Sequence, residues 1–403
     1  MSDLSKIPSR FFENPFPHYA HLLAGPSVLR QEDGSVIISK HGLLTRVYKE
    51  QRLFSSDKKL AYGAKFGTQS DLFEHHTTSL VFNDPPLHTR VRKIIAAALN
   101  PRAIQKMEAG LEKAVITLLD ELETKSDSNM TVDLIADYAS KIPIQIIGNL
   151  LGVPINERGP LRDWSMAILG ALEPNLTKAQ LDLGNVAIAE FKSYLKVLVA
   201  ETKKTPKDPE IDVLTRLILA QDKRELSETE LLQNCIFLLN AGHETTTNLI
   251  GNTLYMLFSN PVQKLLLQNN SALIDSTLEE VLRLQSPNQF GNRETTQKVE
   301  IDGVMLEKNT NIHLCIGAAN RDPDVFFNPC EFNIKRKNAK SHLAFAAGPH
   351  VCIGLTLARL EAKIAIRGFL NRFSNYTVLD GSKISPRLRF RGFLCLPAKL
   401  KVA

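Results

Sequence analysis

The residues best placed to do chemistry lie in Phe345-Ala-Ala-Gly348-Pro-His350-Val-Cys352-Ile-Gly354, which runs directly into a helical pattern from Leu355 to Leu370. A lone cysteine is, on general grounds, a small buried hydrophobe. Here Gly348 and Gly354 permit a tight turn with positive φ and a close approach of backbone to a flat ligand, and the following helix aims N-terminal amides at the sulfur. Amide donors favour a thiolate, the form in which sulfur ligates a metal such as iron. A second pair, Glu244 and Thr245, sits mid-helix in Ala241-Gly242-His243-Glu244-Thr245-Thr246. Threonine is a poor helix former and its hydroxyl can bond back to the preceding turn and bend the axis, so a polar pair there is costly unless it serves a site. His243 is a bystander, and H-E-x-x-H zinc-protease chemistry is excluded because Thr247 stands where the second histidine belongs. His88 and Arg92, four apart in Asp84-Pro85-Pro86-Leu87-His88-Thr89-Arg90-Val91-Arg92, point the same way from a helix start and can clamp one anion. Arg90 falls on another face and reads as a surface residue. Glu280 and Arg283, three apart in Glu279-Glu280-Val-Leu-Arg283, share a helix face and can pair.

These groups need a mainly helical frame. Ile104, Met107, Leu111, Val115, Leu118 and Leu122 recur at helical spacing over 103–125, and Ile142–Gly152 is apolar on nearly every side. A further helix is expected over 181–204, followed by a polar connection over 205–210. The clearest element begins at Ser227 and Glu230, spaced as a capping box, and continues until Asn260 and Pro261. It carries Glu244 and Thr245 and should cross the whole domain. Strand-like runs flank turn residues at 28–38, and a later β-rich patch spans Val299–Ile316. The fold class is therefore mainly α with a minor β portion, expected as one domain over residues 1–403 because no linker or repeat divides the chain.

Composition narrows the function classes. The 403 residues are 43% hydrophobic and 23% charged, as in ordinary globular proteins, and 49 Lys plus Arg against 43 Asp plus Glu leave only +6. So small an excess does not call for nucleic acid. Five scattered cysteines give neither a disulfide framework nor a zinc-holding C-x-x-C pair, which makes the reducing cytoplasm the expected compartment. Lys6, Pro8, Arg10 and Glu13 interrupt any signal-peptide core, and no apolar run reaches the ~20 residues of a membrane span.

The frame F-x-x-G-x-H-x-C-x-G resembles the haem-binding loop of the cytochrome P450 family, with Ala346 at a position where many members carry glycine. The E-x-x-R of Glu280 and Arg283, some seventy residues before the cysteine and followed by Ser286-Pro287, is similar to the family's K-helix motif. Ala241–Thr246 resembles its oxygen-binding I-helix groove. Weaker agreement at Asn14–Pro17, Phe54–Ser56 and Ala319–Pro323 extends the likeness to bacterial, soluble members over nearly the full chain. The resemblance implies the P450 fold, with haem b between the long I helix and the cysteine loop. It implies Cys352 as proximal thiolate and iron ligand, Phe345 beside the haem near the sulfur, and His88, Arg92, Arg293 and His350 on the propionates. Ala241 and Gly348 are expected against the haem, and Glu244 and Thr245 as the acid and alcohol of proton delivery. Glu280 and Arg283 form a structural pair, with Arg336 as candidate third partner.

The activity implied is monooxygenation of an apolar small molecule: one atom of O2 enters the substrate, by hydroxylation or epoxidation, with two electrons and two protons consumed. No four-cysteine iron–sulfur spacing and no flavin-type G-x-G-x-x-G is present, so a separate ferredoxin or flavodoxin with its reductase must deliver the electrons, with no fused reductase and no membrane anchor expected. Two alternatives are a peroxide-driven peroxygenase and a haem-binding sensor or carrier; the retained Glu244 and Thr245 argue against both. By analogy the substrate lid spans 62–82, including Phe82, the region of 169–178, Gln289 and Phe290, and Phe393 and Leu394. A fatty acid or acyl chain, a terpenoid or steroid, a macrolide or a small aromatic would each be compatible.

Overall fold

Apolar residues at three- and four-residue spacing organise most of the chain into helices, and a computed structural model describes residues 4–127, 130–210 and 212–402. Ten helices shape the site: α1 (Lys59–Phe66), α2 (Asp71–Thr78), α3 (Leu87–Ala98), α4 (Pro101–Asp127), α5 (Lys141–Leu150), α6 (Leu161–Gly170), α7 (Lys178–Lys204), α8 (Glu228–Ser259), α9 (Ile274–Leu284) and α10 (Leu355–Arg372). The expected helices over 103–125, 142–152 and 181–204 correspond to α4, α5 and α7.

Helix α8 is the axis of the molecule. Its first turn is closed reciprocally: Glu230 N donates to Ser227 Oγ at 3.1 Å and Ser227 N to Glu230 Oε2 at 2.8 Å. Thirty-two residues at 1.5 Å each make it about 48 Å long. Leu231, Cys235, Leu239, Leu249, Ile250 and Leu257 are all buried, on more than one face, as befits a helix surrounded by α5, α6, α7, α9 and α10. Each such leucine or isoleucine contributes roughly 1.5–3 kcal/mol of burial. The helix ends at Asn260, where Pro261 opens the next helix.

Strands β1 (Val28–Arg30), β2 (Val36–Ile38), β3 (Phe54–Ser55), β4 (Phe290–Thr295), β5 (Val299–Ile301), β6 (Val304–Leu306) and β7 (Asn311–Cys315) are short. The early hairpin joins β7 of the later patch, with β4 and β3, in one five-stranded sheet ordered β1-β2-β7-β4-β3, while β5 and β6 pair as a separate two-stranded sheet. Strand β2 runs parallel to β7, Val36 opposite Ile312, and β4 runs antiparallel to β7, Phe290 opposite Cys315. Val36, Ile38, Phe54, Ile312 and Leu314 close a second apolar cluster on this sheet. The β5–β6 hairpin turns at Asp302 and Gly303, both left-handed at φ 49° and 78°, as a two-residue turn demands. No described helix is long and apolar enough to cross a membrane.

Candidate functional site

The cysteine loop is built by backbone bonds and one special conformation. Leu343 N donates to Asn320 Oδ1 at 2.7 Å, and Cys352 N donates to Phe345 O at 2.9 Å, closing the loop onto itself. Ala346 and Gly348 are left-handed, at φ 57° and 68°. A Cβ at position 348 would run into the carbonyl of Tyr48, so that position accepts only glycine. Gly354 corrects the expectation of positive φ: at −91° it is the N-cap of α10. Its N–H donates to the Cys352 sulfur, but burial outweighs it and pushes the thiol up, opposed by Gly354, Arg92 and Arg359. A positive centre on the sulfur is what would offset that burial. Arg359 also lies over the half-buried Phe345 ring, 4.7 Å from its centroid. Nearly two turns into α10, Glu361 lines the same cavity; it is 4% exposed, its Oε2 has no partner, and burial pushes its carboxyl up to about 8.

Cations gather at the cavity's edge. The His88 ring, from α3, stacks on the His350 ring at 3.8 Å, and the Nε2 atoms of both are buried without a partner. Burial, joined by the charges of Arg92 and Arg293, holds both imidazoles neutral, at about 4 and about 2. Arg92 donates to Val351 O at 2.7 Å; Arg293 donates to Asn292 O at 2.7 Å and lies over the Tyr48 ring at 5.1 Å. Among the described residues neither guanidinium meets a carboxylate. All four side chains line the cavity. Two uncompensated arginines and two orphaned ring nitrogens call for a buried dianion, and a haem, which brings two carboxylates and an iron for the sulfur, fits them.

Across the cavity, of about 340 Å³, stand Ala241, Gly242 and Thr245 of α8. Thr245 Oγ1 donates to Ala241 O at 2.7 Å, the back-bond that loosens a helix turn. A Cβ at Gly242 would lie 2.8 Å from Ile147 Cδ1, so glycine lets α5 approach. Glu244 does not line the cavity. It is 4% exposed and turned toward Arg387, whose Nη1 donates to both carboxylate oxygens at 2.9 and 2.7 Å while Nη2 donates to Met166 O of α6. Burial raises its carboxyl, and Arg387 draws it back. His243 is buried with both ring nitrogens unpartnered and is held down to about 3 by burial and Arg162.

Glu280 and Arg283 of α9 are fully buried and doubly bonded: Arg283 Nε to Glu280 Oε2 at 2.7 Å and Nη2 to Oε1 at 2.8 Å. Arg336 Nε adds a bond to Glu280 Oε1 at 2.9 Å. Arg283 Nη1 also donates to Asn320 O at 3.0 Å, and the Asn320 side chain receives Leu343 N, so the pair is wired to the cysteine loop. Glu279 makes a parallel tie: Arg359 Nε donates to it at 2.6 Å and His342 lies 3.3 Å away. Burial alone would raise the Glu279 carboxyl, but His342 and Arg359 hold it at about 2.

The distal wall corrects several pocket assignments. Phe82 lines the cavity, with Leu169 and Leu172. Gln289 does not; its amide is engaged by Tyr19 Oη at 2.7 Å and Ser286 O. Phe290 packs in the cluster of Tyr19, Ile37 and Cys315. The Phe393 ring lies 4.8 Å from that of Tyr255 at a tilt of 47°, and Leu394 is 40% exposed. The cavity instead receives Pro287, Asn288 and Gly291 from the first segment and Arg389 and Phe390 from the second. Each expected segment lies within a few residues of the cavity wall, but which side chains turn inward depends on strand pairing. Arg387, Arg389 and Tyr48 escape sequence reasoning, and Asn320 enters it only within the Ala319–Pro323 likeness; for the arginines, the alternating run at 387, 389 and 391 is the one available signal.

Known proteins resemble this chain along its length. A family model described as Cytochrome P450 matches residues 26–403. The biotin biosynthesis cytochrome P450 of Bacillus subtilis (strain 168) is 32% identical over 398 residues, covering 98% of each chain. Cytochrome P450 monooxygenase PikC of Streptomyces venezuelae is 32% identical over 98% of this chain and 94% of its own. The crystal structure of P450BioI in complex with an acyl carrier protein bearing hexadec-9Z-enoic acid superposes with a TM-score of 0.90 at 30% identity, covering 97% of this chain and 100% of that one.

Proposed function

The chain belongs to the cytochrome P450 family of haem-binding monooxygenases, and on that premise we propose how its own residues carry out the reaction. Members of the family take electrons from redox partners and oxygenate small organic molecules. The observation that carries the assignment of roles is the single cavity that brings Cys352, the unmatched His88, Arg92, Arg293 and His350, and Thr245 to its walls.

A haem held here would supply the O2 activation by which one oxygen atom enters the substrate, and a thiolate ligand would favour O–O cleavage over reversible carriage. Cys352 contributes that thiolate, with the Gly354 amide and the charges of Arg92 and Arg359 stabilising its anion. Arg92 and Arg293 would pair with the haem carboxylates, and His88 and His350, held neutral, would donate hydrogen bonds to them. Ala241 and Gly242 keep side-chain bulk off the opposite wall. Thr245, with its hydroxyl in the cavity wall, passes a proton inward, while Glu244 draws protons from outside under control of Arg387. Glu280, Arg283 and Arg336 fix the loop that holds the sulfur. The 403 residues act as one oxygenase unit in the cytoplasm, and electrons arrive from a ferredoxin or flavodoxin docking over the Cys352 side, where α3 presents the exposed Lys93.

Reduction of the haem-loaded protein under carbon monoxide tests the ligand: the red-shifted Soret peak of a thiolate haem is expected, and its loss in Cys352→Ala. Persistence of the peak in that variant would refute the role of Cys352. Lys93→Glu should slow reduction by a ferredoxin most at low salt; an unchanged rate refutes docking on this face. Turnover with O2 and surrogate redox proteins should yield product, whereas product with peroxide alone would place the chain among peroxygenases.

A further inference from the structure

Resting on the oxygenase reading above, the structure assigns a class of substrate. The four groups matched to the haem carboxylates leave one cation in the cavity without a role: Arg389. Among the described residues its guanidinium meets no carboxylate. It is held rigidly at the backbone: Arg389 N donates to Glu173 Oε1 at 3.3 Å, its carbonyl accepts from Gln289 N at 2.7 Å, and neighbouring Phe390 bridges to Asn288. Glu173 accepts the Leu388 amide at 2.8 Å, and among the described residues no ion pair joins it to the Arg389 guanidinium. The Arg389 charge also reaches Lys58, Lys65 and His76, the last held neutral chiefly by burial, with Glu173 and Glu294 as carboxylates nearby.

Two features turn this surplus charge into a binding site. The buried Tyr62 hydroxyl lies within hydrogen-bonding reach of Arg389 and Asn292. Immediately beside these polar groups lies an apolar cluster of Tyr62, Phe82, Leu169, Leu172 and Phe390. A guanidinium and a phenol at one end of an apolar wall are complementary to a hydrocarbon bearing a single terminal anion. We propose that Arg389, with the Tyr62 hydroxyl, receives the free carboxylate of a long-chain acid whose hydrocarbon body lies along Phe82, Leu169, Leu172 and Phe390. An acyl group joined through its carboxyl to a carrier offers no such anion, so the free acid is the preferred form.

The test uses haem-loaded full-length protein with tetradecanoic acid, its methyl ester and tetradecanol, followed by the Soret spin-state shift and by calorimetric titration. The acid should bind at least tenfold more tightly than the ester or alcohol. Arg389→Gln should weaken the acid at least tenfold and the ester less than twofold, Arg389→Lys should restore part of the loss, and Tyr62→Phe should cost the acid a few-fold. Equal affinities for acid and ester in the unaltered protein, binding of none of the three probes, or parallel losses of acid and ester in Arg389→Gln would each overturn the proposal. Calorimetry reads the acid preference without the haem signal, so an absent carbon monoxide peak, which would sink the parent reading, stays distinguishable.

Discussion

Glu361 offers a quantitative test of the cavity's interior. Its carboxyl is buried on α10 with one oxygen unpartnered, and desolvation lifts it from 4.5 to about 8. The folded protein therefore keeps this proton up to about pH 8, whereas the unfolded chain releases it above about 4.5, so unfolding gains an advantage as pH rises between those values. At roughly 1.4 kcal/mol per unit, the penalty on the folded state grows by about 3–4 kcal/mol from pH 5 to pH 8. Glu361→Gln keeps the shape and removes the titration. Urea unfolding of both haem-loaded proteins, followed by the Soret band and far-ultraviolet circular dichroism, should show similar midpoints at pH 5 and a variant more resistant at pH 8. With a slope of about 3 kcal/mol per M, the midpoints should separate by roughly 1 M. A gap that stays constant across this range, or closes as pH rises, would refute the claim that desolvation governs this carboxyl.

Three further outcomes are expected. Ala346→Gly relieves a left-handed alanine and should stabilise the protein by about 0.5–1 kcal/mol, read as a higher thermal midpoint; a lower one would mean the methyl group packs favourably. Glu280→Gln leaves two buried arginines short of an anion and should cost about 3–5 kcal/mol, seen as lost haem occupancy in the Soret-to-280 nm ratio and earlier urea unfolding. Arg387→Gln removes the charge that draws Glu244 down while its burial remains, so the acid limb of the kcat–pH profile should move to higher pH; movement to lower pH, or none, would detach Glu244 from proton supply.

Legibility followed the range over which each feature is encoded. Short motifs were readable because their spacing alone carries their meaning: the capping box of Ser227 and Glu230 opens α8 as expected, and Glu280 and Arg283 meet across one helix turn. The cavity-lining His88, Arg92, Thr245 and Cys352 were reached in the same way, each from a local pattern. Contacts between distant segments were not readable. Arg387 finds Glu244 across 143 positions, and Asn320 receives Leu343 through a loop with no periodic signal. Strand partners decided that Phe390, rather than Phe393, turns into the cavity. The direction of the Cys352 shift was also hidden, because amide donors are visible in sequence and the depth of burial is not.

The pairing of Val36 with Ile312 has a consequence for biosynthesis. A nascent chain emerging from the ribosome displays the β1–β2 hairpin long before its parallel neighbour has been translated, and loop closure across so many residues is slow. Until then β2 is an open edge of valine and isoleucine, the kind of surface that recruits chaperones or sticks to other unfinished chains. Expression yield should accordingly depend on holdase capacity, and fragments ending before residue 311 should accumulate as insoluble material.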